Sequence, residues 1–166
     1  SQGMISAIGV GMNQWEMLVR FAQEGEFDCF LLAGRYTLLD HSGLAVLLPL
    51  CEEKTISIIL GGPYNSGILA SDLDSDTTYF YQSTPPQVLK QARQIKSICD
   101  RYRVPLKAAA IQFGLAHPTV AATIPGPRSP HEIEDNIAMA SIEIPPDLWS
   151  ELKSESFLPL DAPVPK

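Results

Sequence analysis

One pattern occurs four times along the chain and constrains its fold more than any other feature. A short apolar segment is followed by a turn rich in glycine or polar residues, and then by a helix-like stretch. The apolar segments are residues 4–10, 29–33, 55–60 and 120–124. They are short and nearly free of charge, which is typical of strands in a parallel sheet covered on both faces. The pattern therefore predicts an α/β fold.

Helical periodicity and proline or glycine boundaries predict where the helices lie. We expect them at residues 14–23, 44–53, 85–102, 106–116 and 130–140, with the start of a last helix in residues 145–149. The polar stretch 71–84 is predicted to be a long surface loop. The proline-containing tail, 158–166, is predicted to be extended.

The connections between strands are long enough to hold helices, as right-handed parallel βα units require. Four such units form half of an eight-stranded barrel, although they are also compatible with a small doubly wound sheet. Barrels place their binding loops at the carboxyl ends of the strands. Glycine or polar residues follow all four strands here, at residues 11–13, 35–36, 61–66 and 126–129. We therefore predict one domain over residues 1–166 with the fold of half a (β/α)8 TIM barrel.

Composition limits the functional classes. The 166 residues are 45% apolar and 19% charged, as in soluble globular proteins. The net charge of −7 and the lack of Lys or Arg clusters argue against nucleic acid or a membrane surface as a partner. Three scattered cysteines predict free thiols rather than a disulfide framework or a metal site. Without an apolar run of roughly 20 residues or signal-peptide features, we expect a cytoplasmic protein.

The turn after the fourth strand carries the strongest chemical signal. Residues 123–136 pass from the strand through Pro-Gly-Pro into a helix, with Ser129 as the predicted cap and Glu132 completing a capping box. A helix N-terminus offers free N–H groups and a positive dipole end to an anion. Arg128, in the turn, can fork onto a phosphate. The same residues are also compatible with an ordinary strand-to-helix connection.

Four segments, in order, resemble the motifs of one family. They are Ile-Gly-Val-Gly-Met-Asn at 8–13, Tyr-Thr-Leu-Leu-Asp at 36–40, Gly-Pro-Tyr-Asn-Ser-Gly at 62–67, and Ile-Pro-Gly-Pro-Arg-Ser-Pro at 124–130, followed by Asn136. Over nearly the whole chain they resemble the C-terminal half of the aldo-keto reductases, that is, strands 5–8 of the barrel with their helices. The residues of these motifs are most similar to those of the branch that oxidises pyridoxal or sugars such as fucose, threo-aldoses and galactose.

The resemblance implies a nicotinamide cofactor, NAD or NADP, held by these loops. The implied cofactor-binding residues are Asn13, Gly62, Tyr64, Ser66, Gly126, Arg128, Glu132 and Asn136. Asn13 would contact the nicotinamide carboxamide, backbone N–H groups of Gly62, Tyr64 and Ser66 the pyrophosphate, and the residues after the last strand the adenosine end. From their own chemistry, Asn13 and the glycine run also suit ordinary turns, and Asn136 also suits a solvated helix surface.

Three positions depart from the family pattern. Gly61 stands where the family often stacks an aromatic ring on the nicotinamide, and Ala33 stands where a glutamine contacts the carboxamide. Glu132 stands where an arginine is common. A carboxylate disfavours a 2′-phosphate and can accept a hydrogen bond from a free ribose hydroxyl, so Glu132 favours NAD over NADP. The capping box explains the same glutamate equally well.

By the resemblance, the chemistry needs a tyrosine general acid tuned by a lysine and an aspartate, together with a histidine. Those residues belong to the first four barrel strands, and no segment here matches them. We therefore assign no catalytic residue and expect a fragment that lacks the N-terminal catalytic half and is inactive alone. Its parent would transfer a hydride between nicotinamide and a sugar or aldehyde. Unpaired strands at both edges predict marginal stability and self-association in isolation.

A second hypothesis explains the same residues. A module derived from this fold can keep the nucleotide loops, lose the chemistry and serve in nucleotide binding or protein interaction. This alternative requires a stable fold and nucleotide affinity without turnover.

Overall fold

Four parallel strands form the central sheet. The computed structural model describes residues 3–74 and 77–165. Its central strands are β1 (Gly9–Met12), β2 (Cys29–Ala33), β3 (Ser57–Gly61) and β6 (Val120–Ile124). They pair in the order β1-β2-β3-β6, which is their order along the chain. Among the described residues, the sheet therefore lacks the reversal of strand order that marks a doubly wound fold.

Helices follow or connect these strands. They are α1 (Trp15–Glu24), α2 (Leu47–Glu53), α3 (Pro86–Arg101), α4 (Leu106–Leu115), α5 (Pro130–Ser141) and α6 (Pro146–Ser154). The long connection after β3 also holds a 3-10 turn, Ile68–Ala70, and a hairpin of β4 (Thr78–Tyr79) with β5 (Gln82–Ser83). Two of the helices, α3 and α4, precede β6 within this connection.

The hydrophobic core lies on one face of the sheet. Side chains alternate between the two faces of a strand, and every second residue of β2 and β3 is fully buried among helix side chains: Phe30, Leu32, Ile58 and Leu60. Buried aromatic rings link the helices beneath. The ring centroids of Tyr36 and Phe113 lie 5.0 Å apart, and those of Phe113 and Trp149 lie 6.4 Å apart. Helices α4 and α6 are thereby anchored to the segment that leaves β2.

The opposite face of the sheet is only partly covered. Its residues are half-buried or exposed, and most are small or apolar: Gly9, Gly11, Leu31, Ala33, Ile59, Gly61, Ala122 and Ile124. The expectation that β2 is buried on both faces is therefore wrong for the described part of the chain. The helices that bury Phe30 and Leu32 leave the other face of the strand without a matching layer.

The first strand differs most from its prediction. The expected strand at residues 4–10 is observed at Gly9–Met12, and Met4 and Ile5 are 80% and 72% exposed rather than buried. Gly9 pairs with Cys29, the first residue of β2. Residues before Gly9 therefore have no strand partner, and the Ile8 N–H instead donates to the Asp28 carboxylate at 2.7 Å. The apolar pattern of the sequence thus begins several residues before the pairing with β2 begins.

Other boundaries agree or shift by a few residues. Strands β2 and β6 have the predicted bounds, which are confirmed. Strand β3 begins two residues late because Thr55 has a left-handed φ of 59°, and α2 begins at Leu47 rather than at residue 44. The 71–84 loop contains the β4–β5 hairpin. The tail is not simply extended, because it turns and buries Leu158 and Ala162.

Two glycines of β1 offer a matched test of this sheet. A Cβ at Gly9 would overlap the Cys29 carbonyl oxygen and lie 2.7 Å from its Sγ, whereas a Cβ at Gly11 would lie 3.4 Å from Leu31 Cβ. We expect Gly9→Ala to lower the free energy of unfolding by about 1–3 kcal/mol, because the backbone must shift. Gly11→Ala should be neutral or slightly stabilising. Urea unfolding of both variants measures this, and an equal effect of the two would contradict the observed register.

Candidate functional site

A cleft of about 880 Å³ lies at the carboxyl ends of the four parallel strands. Loops that follow β1, β2, β3 and β6 line it, together with part of α4. The cleft brings together every residue that the sequence implied for cofactor binding: Asn13, Gly62, Tyr64, Ser66, Gly126, Arg128, Glu132 and Asn136. Its volume falls within the range of small-molecule and cofactor sites. The roles of these residues remain predictions.

The loop after β3 forms a tight turn at the centre of the cleft. Gly62, Asn65, Ser66 and Gly67 have left-handed φ values of 61°, 48°, 61° and 97°. Backbone hydrogen bonds close the turn, from the Asn65 N–H to the Gly62 carbonyl at 3.0 Å and from the Gly67 N–H to the Tyr64 carbonyl at 3.1 Å. A Cβ at Gly62 would have no atom within 4 Å, so this glycine supplies conformation and leaves open space.

The backbone donors of this loop differ in availability. The Gly62 N–H, which the resemblance assigns to the pyrophosphate, already donates to the Ile124 carbonyl at 3.1 Å. The strand register that pairs the ends of β3 and β6 gives it this partner. The N–H groups of Tyr64 and Ser66, in contrast, have no acceptor among the described residues. They are the two donors of this loop that can bind an anion.

The turn before α5 has the predicted capping geometry. Ser129 Oγ accepts from the Glu132 N–H at 3.2 Å, and Glu132 Oε2 accepts from the Arg128 N–H at 2.7 Å, one residue before the cap. This N–H and the nearby guanidinium lower the pKa of Glu132, which keeps it ionised. The Arg128 side chain is 89% exposed, with Nη2 3.6 Å from Glu132 Oε1. Glu132 therefore caps the helix and also presents charge to the cleft.

A buried polar contact joins the β3 loop to α5. The Tyr64 hydroxyl donates to Asn136 Oδ1 at 2.8 Å, and both residues are more than nine-tenths buried. Asn136 is thus not a solvated surface residue. Burial, together with the charge of Asp135, raises the pKa of Tyr64, so this tyrosine is a fixed donor rather than a group ready to lose its proton. Its hydroxyl is directed at α5, towards the adenosine end of the predicted site.

Sequence reasoning missed Lys107 of α4, which lines the cleft. Its Nζ lies 5.3 Å from the centroid of the Tyr64 ring and forms an ion pair with Asp135. The usable signal was that Lys107 is the one charged residue in the otherwise apolar or neutral stretch 106–116. A charge retained on such a helix indicates a specific partner.

Arg35 fixes the loop that carries Asn13. Its Nε donates to the Asn13 carbonyl at 3.1 Å, and its Nη1 pairs with Asp40 at 2.9 Å. The guanidinium also lies 4.4 Å from the centroid of the Phe80 ring. One side chain thus connects the loops after β1 and β2 with the β4–β5 hairpin. The sequence placed Arg35 in the exit loop of β2 without a role.

The histidines stand apart from this cleft. His41 and His117 are absent from its lining, and His117 Nδ1 accepts from the Thr119 N–H at 3.2 Å. Burial is the main cause that lowers the pKa of each. Within residues 3–74 and 77–165, no group of three His, Cys, Asp or Glu side chains is arranged to hold a metal ion. No helix in the same part of the chain has the length and apolar character to cross a membrane.

His117, which is buried, and His41, which is half-buried, predict a pH dependence of stability. Each has a folded-state pKa below its unfolded value, so the unfolded chain binds more protons between those two values. The contribution of these histidines to the free energy of unfolding should therefore be fully present above about pH 6.5 and decrease as the pH falls below that value. Urea unfolding between pH 7.5 and pH 5 measures the slope. His117→Asn should flatten it, whereas the exposed control His131→Gln should not; equal slopes in both variants would contradict the assignment.

The Tyr64–Asn136 contact predicts a stability loss. Tyr64→Phe leaves Asn136 Oδ1 buried without its donor and should cost about 1–2 kcal/mol of unfolding free energy. Tyr81→Phe, at a side chain that is 93% exposed, is the matched control and should change stability by less than about 0.5 kcal/mol. Equal urea midpoints for the two variants would show that the contact contributes nothing.

Comparisons with known proteins agree with the motifs. The sequence profile of the Aldo/keto reductase family matches residues 1–156. The chain is 36% identical to pyridoxal 4-dehydrogenase of Microbacterium luteolum over 156 residues, which are 94% of this chain and 46% of that protein. It is also 36% identical to D-threo-aldose 1-dehydrogenase of a Pseudomonas species over 160 residues, 96% of this chain and 49% of that protein. The expected branch is confirmed.

The fold comparison gives the same result. An aldo-keto reductase from Bacillus halodurans, in its holo form, superimposes with a TM-score of 0.72 and 19% identity, over 92% of this chain and 51% of that chain. The chain thus spans about half the length of the relatives that it matches. With the family profile covering 156 of its residues, the chain belongs to the aldo/keto reductase family.

Proposed function

We propose that this chain is the cofactor-binding half, strands 5–8, of a (β/α)8 oxidoreductase that uses NAD(P). One observation carries the proposal: loops from all four parallel strands converge on a single cleft that contains all eight implied cofactor residues. In barrels, binding loops lie at this end of the strands. The relatives, of which the chain spans about half, support the division into halves.

Exposed apolar side chains at both edges of the sheet support the proposal that another part of the protein packs against them. Met4, Ile5 and Ile8 precede β1, and Ile124 ends β6, all of them exposed. Ile133 and Ile137, one turn apart on α5, are exposed as well. Exposed apolar groups concentrated in this way mark interaction surfaces. We propose that the other half of the barrel covers these edges together with the open sheet face.

The residues of the cleft fit a dinucleotide. The free N–H groups of Tyr64 and Ser66 and the exposed guanidinium of Arg128 suit phosphate oxygens. The Asn13 side chain lies at the β1 end of the cleft, and Asn136 at the α5 end, where Tyr64 fixes its amide. The cofactor would donate or accept the hydride, and the chain would bind and orient the cofactor.

Two titratable side chains that line the cleft, Tyr64 and Lys107, are not arranged for proton transfer. Tyr64 is a buried donor to Asn136 with a raised pKa, and Lys107 is paired with Asp135. The catalytic Asp, Tyr, Lys and His would therefore come from the other half, as the resemblance implies. The relatives named as pyridoxal and D-threo-aldose dehydrogenases support a sugar or aldehyde as the substrate.

The charge balance at the adenosine end favours NAD over NADP. Lys107 is neutralised by Asp135, and Arg128 lies near Glu132. A 2′-phosphate placed here would meet the ionised Glu132 beside Arg128, while Lys107 already has a carboxylate partner. A free ribose hydroxyl adds no charge and avoids this repulsion.

Nucleotide titration of the native protein tests the proposal. We expect NAD⁺ to bind more tightly than NADP⁺ by isothermal titration calorimetry. Glu132→Gln keeps an acceptor for the Arg128 N–H but removes the charge, and it should raise the affinity for NADP⁺ relative to NAD⁺ about two- to fivefold. Glu134→Gln, on the same helix but outside the cleft, is the control. Binding of neither nucleotide would overturn the proposal.

The intact mass of the native protein distinguishes the two classes of function. A mass near twice that of this 166-residue chain supports the two-half enzyme. A mass equal to this chain would reject it and leave the non-catalytic nucleotide-binding module, for which nucleotide titration without turnover is the remaining test.

A further inference from the structure

Asn65 has a buried amide without partners. The residue is 3% exposed, and neither Oδ1 nor Nδ2 has a hydrogen-bond partner among the described residues. Burying an unpaired amide is unfavourable, and nearly all buried polar groups in native proteins are paired. Asn65 also lines the cleft. An unsatisfied amide in this position indicates a ligand group that completes its hydrogen bonds.

The loop holds this amide in place. The left-handed φ of Asn65 sets the direction of its side chain, and its N–H donates to the Gly62 carbonyl at 3.0 Å. The neighbouring Ser66 is tied to the hairpin, since its carbonyl accepts from Thr78 Oγ1 at 3.0 Å and its Oγ accepts from the Tyr81 N–H at 3.2 Å. The amide therefore cannot turn freely towards solvent.

The position of the amide indicates which end of the cleft it serves. A Cβ built at Gly34, directly after β2, would lie 3.8 Å from Asn65 Nδ2. The amide thus points from the β3 loop towards β2, on the side of the cleft near Asn13. Arg128 and Asn136 lie on the opposite, β6 side. Ala33 and Gly61, which also line this region, carry no polar side chain that could satisfy a ligand.

We propose that the Asn65 amide pairs with the carboxamide of the nicotinamide cofactor. The inference rests on the proposed function. A free amide offers both donors and an acceptor, and in a dinucleotide the carboxamide and the adenine each complement both. The amide lies on the β2 side of the cleft, away from Arg128 and Asn136 at the proposed adenosine end, which favours the carboxamide. Phosphate oxygens accept only and would leave Oδ1 unpaired. The amide atoms have almost no solvent contact, so binding requires neighbouring groups of the cleft to move.

Three probes with graded chemistry test the pairing in the native protein. NAD⁺ carries the carboxamide, 3-acetylpyridine adenine dinucleotide replaces its NH₂ with methyl, and ADP-ribose lacks the nicotinamide. The variant Asn65→Gly removes the amide and tolerates the left-handed φ. We expect it to weaken NAD⁺ binding about tenfold and the acetylpyridine analogue about threefold, because one hydrogen bond is already absent there. ADP-ribose affinity should not change.

Controls separate this role from a structural one. Thr55→Gly, at an exposed left-handed residue outside the cleft, should leave all three affinities unchanged. Asn65→Gly should not lower the urea midpoint, since it removes an unpaired buried amide. If Asn65→Gly lowers the affinity for all three ligands equally, or does not lower the affinity for NAD⁺, the inference is wrong and the proposed function is unaffected. Failure of the wild type to bind ADP-ribose would overturn the proposed function as well.

Discussion

Parallel pairing in chain order is the constraint on which the rest of the structure depends. Ala33, Gly61 and Ile124 end their strands in one row of the sheet, so the loops that follow them meet at one edge. Residues separated by more than 100 positions, such as Asn13 and Asn136, thereby line one cleft. A one-residue slip would turn side chains to the opposite face and would also remove the Ile124 acceptor from the Gly62 N–H.

The elements that the sequence predicts best are those whose local and tertiary signals coincide. Strands β2 and β6 are apolar runs with turn residues directly after them, and their bounds match. The predicted start of the first strand is wrong because the start of its pairing partner, and not its own apolar pattern, decides where β1 begins. Gly9 pairs with Cys29, the first residue of β2. Six of the eight predicted cleft residues lie in loops that follow strands, and Glu132 and Asn136 lie in α5, the helix that follows the last strand. Lys107 had a sequence signal, as the one charge in a neutral stretch, but its partners did not, and the importance of Asn65 depends on missing partners that the folded chain alone reveals.

The sheet has two unlike faces, and this difference explains several features of the chain. One face carries Phe30, Leu32, Ile58 and Leu60 against the helices. The other carries smaller residues, and Gly61 lies with its Cβ position only 3.1 Å from Leu31, so side chains there are closely spaced along the row. A barrel interior requires such packing, since inward side chains of neighbouring strands must share a narrow space. The half-buried state of this face is what we expect if the proposed other half of the barrel covers it.

Backbone strain is concentrated where the cleft is built. Among the described residues, five non-glycine positions with left-handed φ lie between β3 and α3: Asn65, Ser66, Leu73, Phe80 and Tyr81. Each such residue costs about 1 kcal/mol or more, so neighbouring contacts must hold it. Arg93 binds the Leu73 carbonyl through two nitrogens, at 2.7 and 2.9 Å, and the Arg35 guanidinium lies over the Phe80 ring.

These contacts come from α3 and from the exit of β2, both well anchored in the core. A fold that maintains several strained residues in one connection with dedicated side chains gains geometry there rather than stability. The geometry obtained is a turn with two free N–H groups, at Tyr64 and Ser66, and one unpaired amide, at Asn65. Strain of this kind is the physical reason to look for a ligand at the β3 loop.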